Sequence, residues 1–198
     1  MSELDFSVVR GSGIEVHLPE IAALRIEVFR AFPYLYAGTL AYERRYLRTY
    51  VQSPDSLVVL VRDTGRLIGA SSGLPLSDET EELRAPFKRC GIEVARVFYC
   101  GESVLLPPYR GRGLGHRFFD AREAHARSLN RFDTIAFCAV QRPDQHPRRP
   151  PDFRPLDPFW RTRGYTPRAE VRTTLSWPDL DEAIESPKTM MFWTRALT

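Results

Sequence analysis

Residues 105–115 read Leu-Leu-Pro-Pro-Tyr-Arg-Gly-Arg-Gly-Leu-Gly, and no other stretch of this chain limits its fold so tightly. Gly111, Gly113 and Gly115 stand at every second position, with Arg110 and Arg112 interleaved. Such a segment makes a poor core and a good phosphate cradle, because glycine accepts positive φ and lets backbone come close to a ligand. A strand-like run over 97–106 precedes it, and a helix-like run over 116–129 follows. Amides at the start of that helix are unsatisfied and carry the positive end of its dipole, so an anion suits them.

Two familiar phosphate loops fit badly. A P-loop needs Gly-Lys-Ser/Thr after its glycines, and Leu114-Gly115-His116 stands there instead. A dinucleotide fingerprint wants G-x-G-x-x-G at the strand end and an acidic residue closing the next strand. Here the spacing is G-x-G-x-G, four residues separate strand from glycines, and Asp133 opens the following strand rather than ending it.

Arg110-Gly-Arg-Gly113-Leu-Gly115 resembles the R/Q-x-x-G-x-G/A loop of the GNAT superfamily of acyl-CoA-dependent N-acetyltransferases. Leu105-Leu-Pro-Pro-Tyr109 is similar to that family's strand end, commonly V-x-P-x-Y/F. Phe159-Trp-Arg-Thr-Arg-Gly-Tyr165 resembles its F-Y-x-x-x-G-F helix exit, one helix and one strand further on. These motifs occupy the second half of the chain. The resemblance implies one α+β domain over residues 1–198: a mostly antiparallel mixed sheet flanked by helices.

Bulk properties are those of an ordinary soluble globular chain. A chain of 198 residues can bury a sizeable core. Twenty-eight basic against 25 acidic residues leave too small a surplus to argue for nucleic acid. No apolar run approaches a membrane span, and Met1-Ser-Glu-Leu-Asp5 lacks a signal-peptide pattern, so a cytoplasmic protein without membrane contact is expected. Cys90, Cys100 and Cys138 show no C-x-x-C spacing and the histidines no paired spacing, so neither disulfides nor a metal is expected. Cys100 and Cys138 sit in apolar runs and read as small hydrophobes.

Along the chain, 6–10 reads as a strand. Pro19 opens a helix carrying Ile21, Leu24, Val28 and Phe32, and Thr39 caps a second helix through Tyr50. Residues 57–61 and 67–74 flank Asp63-Thr-Gly-Arg66 as a hairpin. Pro86 should make 78–89 irregular. Glu123 and Arg127 read as a supporting pair on the outer face of the helix after the glycine loop. The proline- and arginine-rich stretch 141–158 reads as a linker, part of which packs through Phe153 and Leu156. Segments 172–177 and 189–197 read as a closing strand pair.

The resemblance also assigns roles. Acetyl-CoA is the acyl-donor co-substrate, its pyrophosphate on the amides of Arg112, Gly113, Leu114 and Gly115, with Arg110 and Gly111 alongside. Its pantetheine arm runs along the free edge at Val104, Leu105 and Leu106, and a backbone amide there, that of Leu105, meets the thioester carbonyl. The family's general base comes from the middle of this strand. Glu102 is the one carboxylate in it, and a buried glutamate is costly without a task or a partner, so base and arginine-paired anion both stay open. Tyr99 is the rival; residues three apart face the same way only if a bulge intervenes. Trp160 stands where many members carry a tyrosine that protonates the departing thiolate, which leaves the general acid unassigned. Acceptor candidates are Tyr34 and Tyr36 as a wall and Glu27 as an ammonium partner. The expected activity is N-acetylation of a small-molecule or protein amine, possible as a homodimer; the alternative is a CoA-binding regulatory module without catalysis.

Overall fold

The structure, a computed structural model, describes residues 4–197. Strand β1 (Asp5–Arg10) leads through a 3-10 turn to helices α1 (Leu18–Phe29) and α2 (Leu40–Gln52). Pro19 lies in the first turn of α1, and the Thr39 hydroxyl caps α2 by accepting from the Tyr42 amide at 3.3 Å. Strands β2 (Leu57–Asp63) and β3 (Arg66–Pro75) form the expected hairpin. Helix α3 (Glu81–Arg89) is continuous despite Pro86. The amide that proline lacks would have met the Glu82 carbonyl, and the Thr173 hydroxyl supplies that bond instead at 2.6 Å. The rest of the chain is β4 (Val97–Tyr99), β5 (Ser103–Leu105), α4 (Leu114–Ser128), β6 (Thr134–Val140), α5 (Asp157–Thr162), β7 (Thr166–Trp177) and β8 (Ser186–Ala196).

These eight strands form one sheet in the order β1-β2-β3-β4-β6-β8-β7, with β5 also on β3. Only β4 and β6 run parallel among the pairs of this sheet. The architecture is the expected α+β one. One expected strand over 97–106 is in fact two. β4 pairs Tyr99 with Leu74, while β5 pairs Ser103 with Ser71. Between these pairs Cys100, Gly101 and Glu102 stand opposite Ser72 and Gly73, so the strand carries one extra residue, a β-bulge.

The helices cover both faces. Glu102 points to α1 and α2, where Arg25 and Tyr46 meet it, whereas the next side chain, Ser103, meets Arg122 of α4 on the other face. Aromatic rings fill the α4 side: Phe119 touches Phe137, Phe159 and Tyr165, and Trp160 packs on Phe137 and Trp193. Glu123 corrects the outer-face expectation. It is 4% exposed, accepts from Arg195 and Tyr165 and pairs with Arg163, while Arg127 stands at 3.9 Å. Burial beside Arg163 at the end of α5 and Arg195 of β8 outweighs the helical pair.

Candidate active site

The glycine loop joins β5 to α4. Gly111 and Gly113 hold φ of +74° and +79°, which only glycine adopts without strain. A Cβ at either position would meet nothing within 4 Å, so both backbones lie open. Gly113 caps α4 with no side-chain partner, and its carbonyl accepts from His116 and Arg117. The amides of Gly113, Leu114 and Gly115 therefore face outward at the positive end of a helix of 15 residues. The Arg110 side chain folds back to donate to the Leu105 carbonyl at 3.1 Å, and Arg112 lies over Tyr109.

A split in the sheet runs inward from this loop. The Cys100 amide still reaches the Ala136 carbonyl at 2.8 Å, and beyond it β5 follows β3 away from β6. Glu102 offers its carbonyl to Ser72, and the Leu106 amide bonds Ile68, so by alternation Val104 also turns its backbone to β3. Ser103 and Leu105 are left facing the split. On the other wall, Ala136 faces β4 and the Gln141 amide bonds Thr189 of β8, so Cys138 and Val140 turn theirs to the split. Of the three edge residues named from sequence, Leu105 alone presents its backbone there, and Ser103 joins it.

The bulge forms the closed end of the split. Three donors converge on the Glu102 carbonyl: the Ser72 amide at 3.0 Å, the Ser71 hydroxyl at 2.9 Å and Arg122 at 3.2 Å. The extra residue turns Tyr99 and Glu102 to the same face, the condition under which both can serve one site. A Cβ on Gly101 would overlap the Tyr50 hydroxyl, so the α2 tyrosine sits directly on the bulge.

On that face lies a buried charge cluster. Arg25 donates through Nη1 to Glu102 and through Nε to Glu43 at 2.5 Å, and none of the three exceeds 7% exposure. Its guanidinium stacks on Tyr46 at 4.5 Å. The Tyr46 hydroxyl reaches Glu102 Oε2 at 3.3 Å and the Tyr50 hydroxyl at 3.0 Å. The Tyr99 hydroxyl contacts Cys138 Sγ at 3.1 Å. Burial raises the pKa of Tyr46, Tyr50 and Tyr99 well above the usual phenol range, with Glu102 adding to the first two and Cys138 to the third. Burial likewise pushes the Cys138 thiol up to about 12. Glu102 is thus ion-paired with Arg25, the contact that the arginine-paired alternative required.

Glu79, a further buried carboxyl, escaped the sequence analysis, which read 78–89 only as irregular because of Pro86. It is 3% exposed; Oε2 accepts from the Thr80 amide at 3.2 Å and Oε1 has no partner. Burial raises its pKa to about 7; the Thr80 amide opposes this, Glu102 adds to it and Arg25 opposes it.

The acceptor candidates separate. Tyr34 lies beside the cluster, its ring on Phe29, over which Arg25 also sits, and burial raises its hydroxyl pKa. Its ring contacts Phe29 and Trp177, and its carbonyl accepts from Arg142 and Trp177. Tyr36 lines a pocket of about 90 Å³ with Tyr42, Trp177 and Glu185. Glu27 is exposed, two residues and so some 200° around α1 from buried Arg25, and stands outside the cluster. The 141–158 stretch is no free linker. Arg142 clamps the Pro33 and Tyr34 carbonyls and Asp179, and Phe153 packs on Phe32.

A family model described as the acetyltransferase (GNAT) family matches residues 21–149. No curated protein matches the chain. Similar solved structures include an N-acetyltransferase from Staphylococcus aureus Mu50, 9% identical over 100% of both chains with a TM-score of 0.63. The ribosomal-protein-S18-alanine N-acetyltransferase from Escherichia coli is 10% identical over 99% of this chain and 95% of its own, with a TM-score of 0.58. An aminoglycoside 6'-N-acetyltransferase complexed with coenzyme A is 13% identical over 98% and 97%, with a TM-score of 0.57. At these identities the likeness is one of fold.

Proposed function

Because this chain belongs to the GNAT family of acetyltransferases, we propose that it is an N-acetyltransferase carrying an acetyl group from acetyl-CoA to a primary amine by direct attack. One observation carries the reading: a single split in the sheet leads from an exposed anion cradle to a buried acid–tyrosine cluster. The donor fits what lines that path. Outward amides at Gly113, Leu114 and Gly115, with Arg112 beside them, suit a pyrophosphate. The backbone of Ser103 and the amide of Leu105, turned away from β3, suit an extended amide-bearing arm that adds like a strand. Acetyl-CoA, when bound, supplies a thioester at the far end of that arm.

The protein's own groups meet the remaining needs. The Leu105 amide is a donor for the thioester oxygen, where charge develops in the transition state. Glu102, with Tyr34 near it, is the group offered to the acceptor amine: its carboxylate attracts an ammonium while Arg25 keeps it in place. The pocket of Tyr36, Tyr42, Trp177 and Glu185 offers aromatic faces and one negative charge, which suits the rest of a basic acceptor, small molecule or protein terminus. Thermal-shift measurements with acetyl-CoA and NADPH, followed by thiol release across an amine panel, test this. Stabilisation by acetyl-CoA alone with amine-dependent thiol release is expected. Binding without release for any amine would leave the CoA-binding module instead.

A further inference from the structure

We propose that Arg142 is the positioning residue of the acceptor pocket: it staples together the two segments that form the pocket and ties them to the strand that lines the split. The inference rests on the transferase reading above. It starts from how the pocket is made. Residues 36–39 come from the connector between α1 and α2, whereas Trp177, Pro178 and Glu185 come from the end of β7 and the turn that follows it. The pocket therefore lies across a joint between two segments, and its shape is only as fixed as that joint.

Arg142 spans the joint. On the connector, Nε donates to the Pro33 carbonyl at 2.8 Å and Nη2 to the Tyr34 carbonyl at 2.9 Å. In the turn, Nη2 reaches Asp179 Oδ1 at 2.7 Å. The two segments also meet directly. The Ala37 amide donates to the Pro178 carbonyl at 3.0 Å and the Leu180 amide to the Leu35 carbonyl at 2.8 Å. Connector and turn cannot part there without pulling the Pro33 and Tyr34 carbonyls, or Asp179, off the guanidinium. A planar fork with several fixed donors makes this crosslink; a lysine ammonium, a single point charge, does so poorly. Arg142 does not itself line the pocket. It lies two residues beyond β6, and the Gln141 amide holds that end to the Thr189 carbonyl of β8 at 2.8 Å. The staple thus refers the pocket to the strand whose Cys138 and Val140 backbones face the split. A group held in the pocket is thereby placed relative to the thioester arm, and such placement sets rate.

The surrounding contacts separate this role from folding. Asp179 has a second cation, Lys188 Nζ at 3.4 Å, and the Tyr34 carbonyl a second donor, the Trp177 indole at 3.0 Å. Losing Arg142 strands no charge; it removes a link.

Amide hydrogen exchange of the full chain, wild type against Arg142→Ala, gives a readout independent of activity. Exchange at Ala37 and Leu180 should quicken on the order of 10-fold, with Cys100 and Leu106 unchanged. Arg142→Lys, which keeps the charge and loses the fork, should fall between and serves should the alanine variant not fold. Thiol release from acetyl-CoA supplies the second arm, with glycyl-arginine amide, which carries a basic arm for the pocket, and n-propylamine, which has none. Arg142→Ala should raise KM for glycyl-arginine amide on the order of 10-fold, with KM for acetyl-CoA and the n-propylamine rate unchanged. Unchanged exchange at Ala37 and Leu180 overturns the proposal. So does a KM for acetyl-CoA that rises in step with that for the peptide amide, which a merely structural support would give. If wild type releases thiol but the variant keeps its peptide KM, or wild type uses n-propylamine alone, the Arg142 role is wrong and the transferase reading stands. If wild type releases none with either amine, the transferase reading falls too.

Discussion

The two ends of the split are built from opposite materials. At the outer end the glycine loop acts through backbone, is exposed, and holds its ligand groups by dihedral angle alone. At the inner end the cluster acts through side chains brought from α1, α2, the bulge and the loop after β3, all withdrawn from water. The outer end therefore tolerates change in side chain but not in backbone freedom. At the inner end each charge depends on its neighbours, and removing one leaves another buried and unpaired.

That contrast can be broken first at Arg25. Arg25→Leu strands Glu43 and Glu102 in the interior and should cost about 3–5 kcal/mol in urea unfolding. A loss below about 1 kcal/mol would show that water reaches the cluster. Glu79→Gln should act in the other direction and only at higher pH. The folded-state pKa is raised from 4.5 to about 7, so the native chain binds the extra proton between those values. Wild-type stability from this group is present below about 4.5 and is lost as pH rises through 7. The variant should therefore gain about 3 kcal/mol on wild type by pH 8. Parallel stability curves for the two proteins would remove Glu79 from the buried set.

At the outer end, Gly113→Glu places a side chain at φ +79° and a negative charge on the cradle. Acetyl-CoA affinity by calorimetry should fall on the order of 100-fold, with the pH-dependence of unfolding untouched. If the inner-end titration moved as well, the two regions would not be separable. The smallest effect is expected at Glu81, two residues from Glu79 but exposed and paired with surface Lys88 and Arg84. Glu81→Gln should leave both the unfolding midpoint and thiol release where they are, since surface pairs add little.

The outer end was legible from sequence because glycine, arginine and a helix start declare themselves within eleven residues. The hairpin and the α2 cap were legible for the same local reason. The bulge was not, since an extra residue shows only against the partner strand. Arg25 and Glu43 did leave a trace: Arg25 lies four residues after Ile21, and Glu43 four before Leu47, on the buried stripes of their helices. A charge on an apolar stripe is the signal that was passed over. Glu79 left no such trace, because its burial comes from how a loop folds back on α2. Glu27, read as an ammonium partner, sits on the wet side of the same helix that buries Arg25.

The extra residue at Cys100–Glu102 also sets a rule for insertions and deletions. Loss of one position would rotate Tyr99 half a turn about the strand axis if β5 keeps its register on β3, and Glu102 if β4 keeps its own. Glu102 would then lie on the α4 side beside Arg122, and Ser103 would inherit the place opposite Arg25. Length at this corner is thus as binding as residue type: a library that samples every amino acid there but keeps the count should yield active members, and one that shortens the corner should yield folded, inert ones.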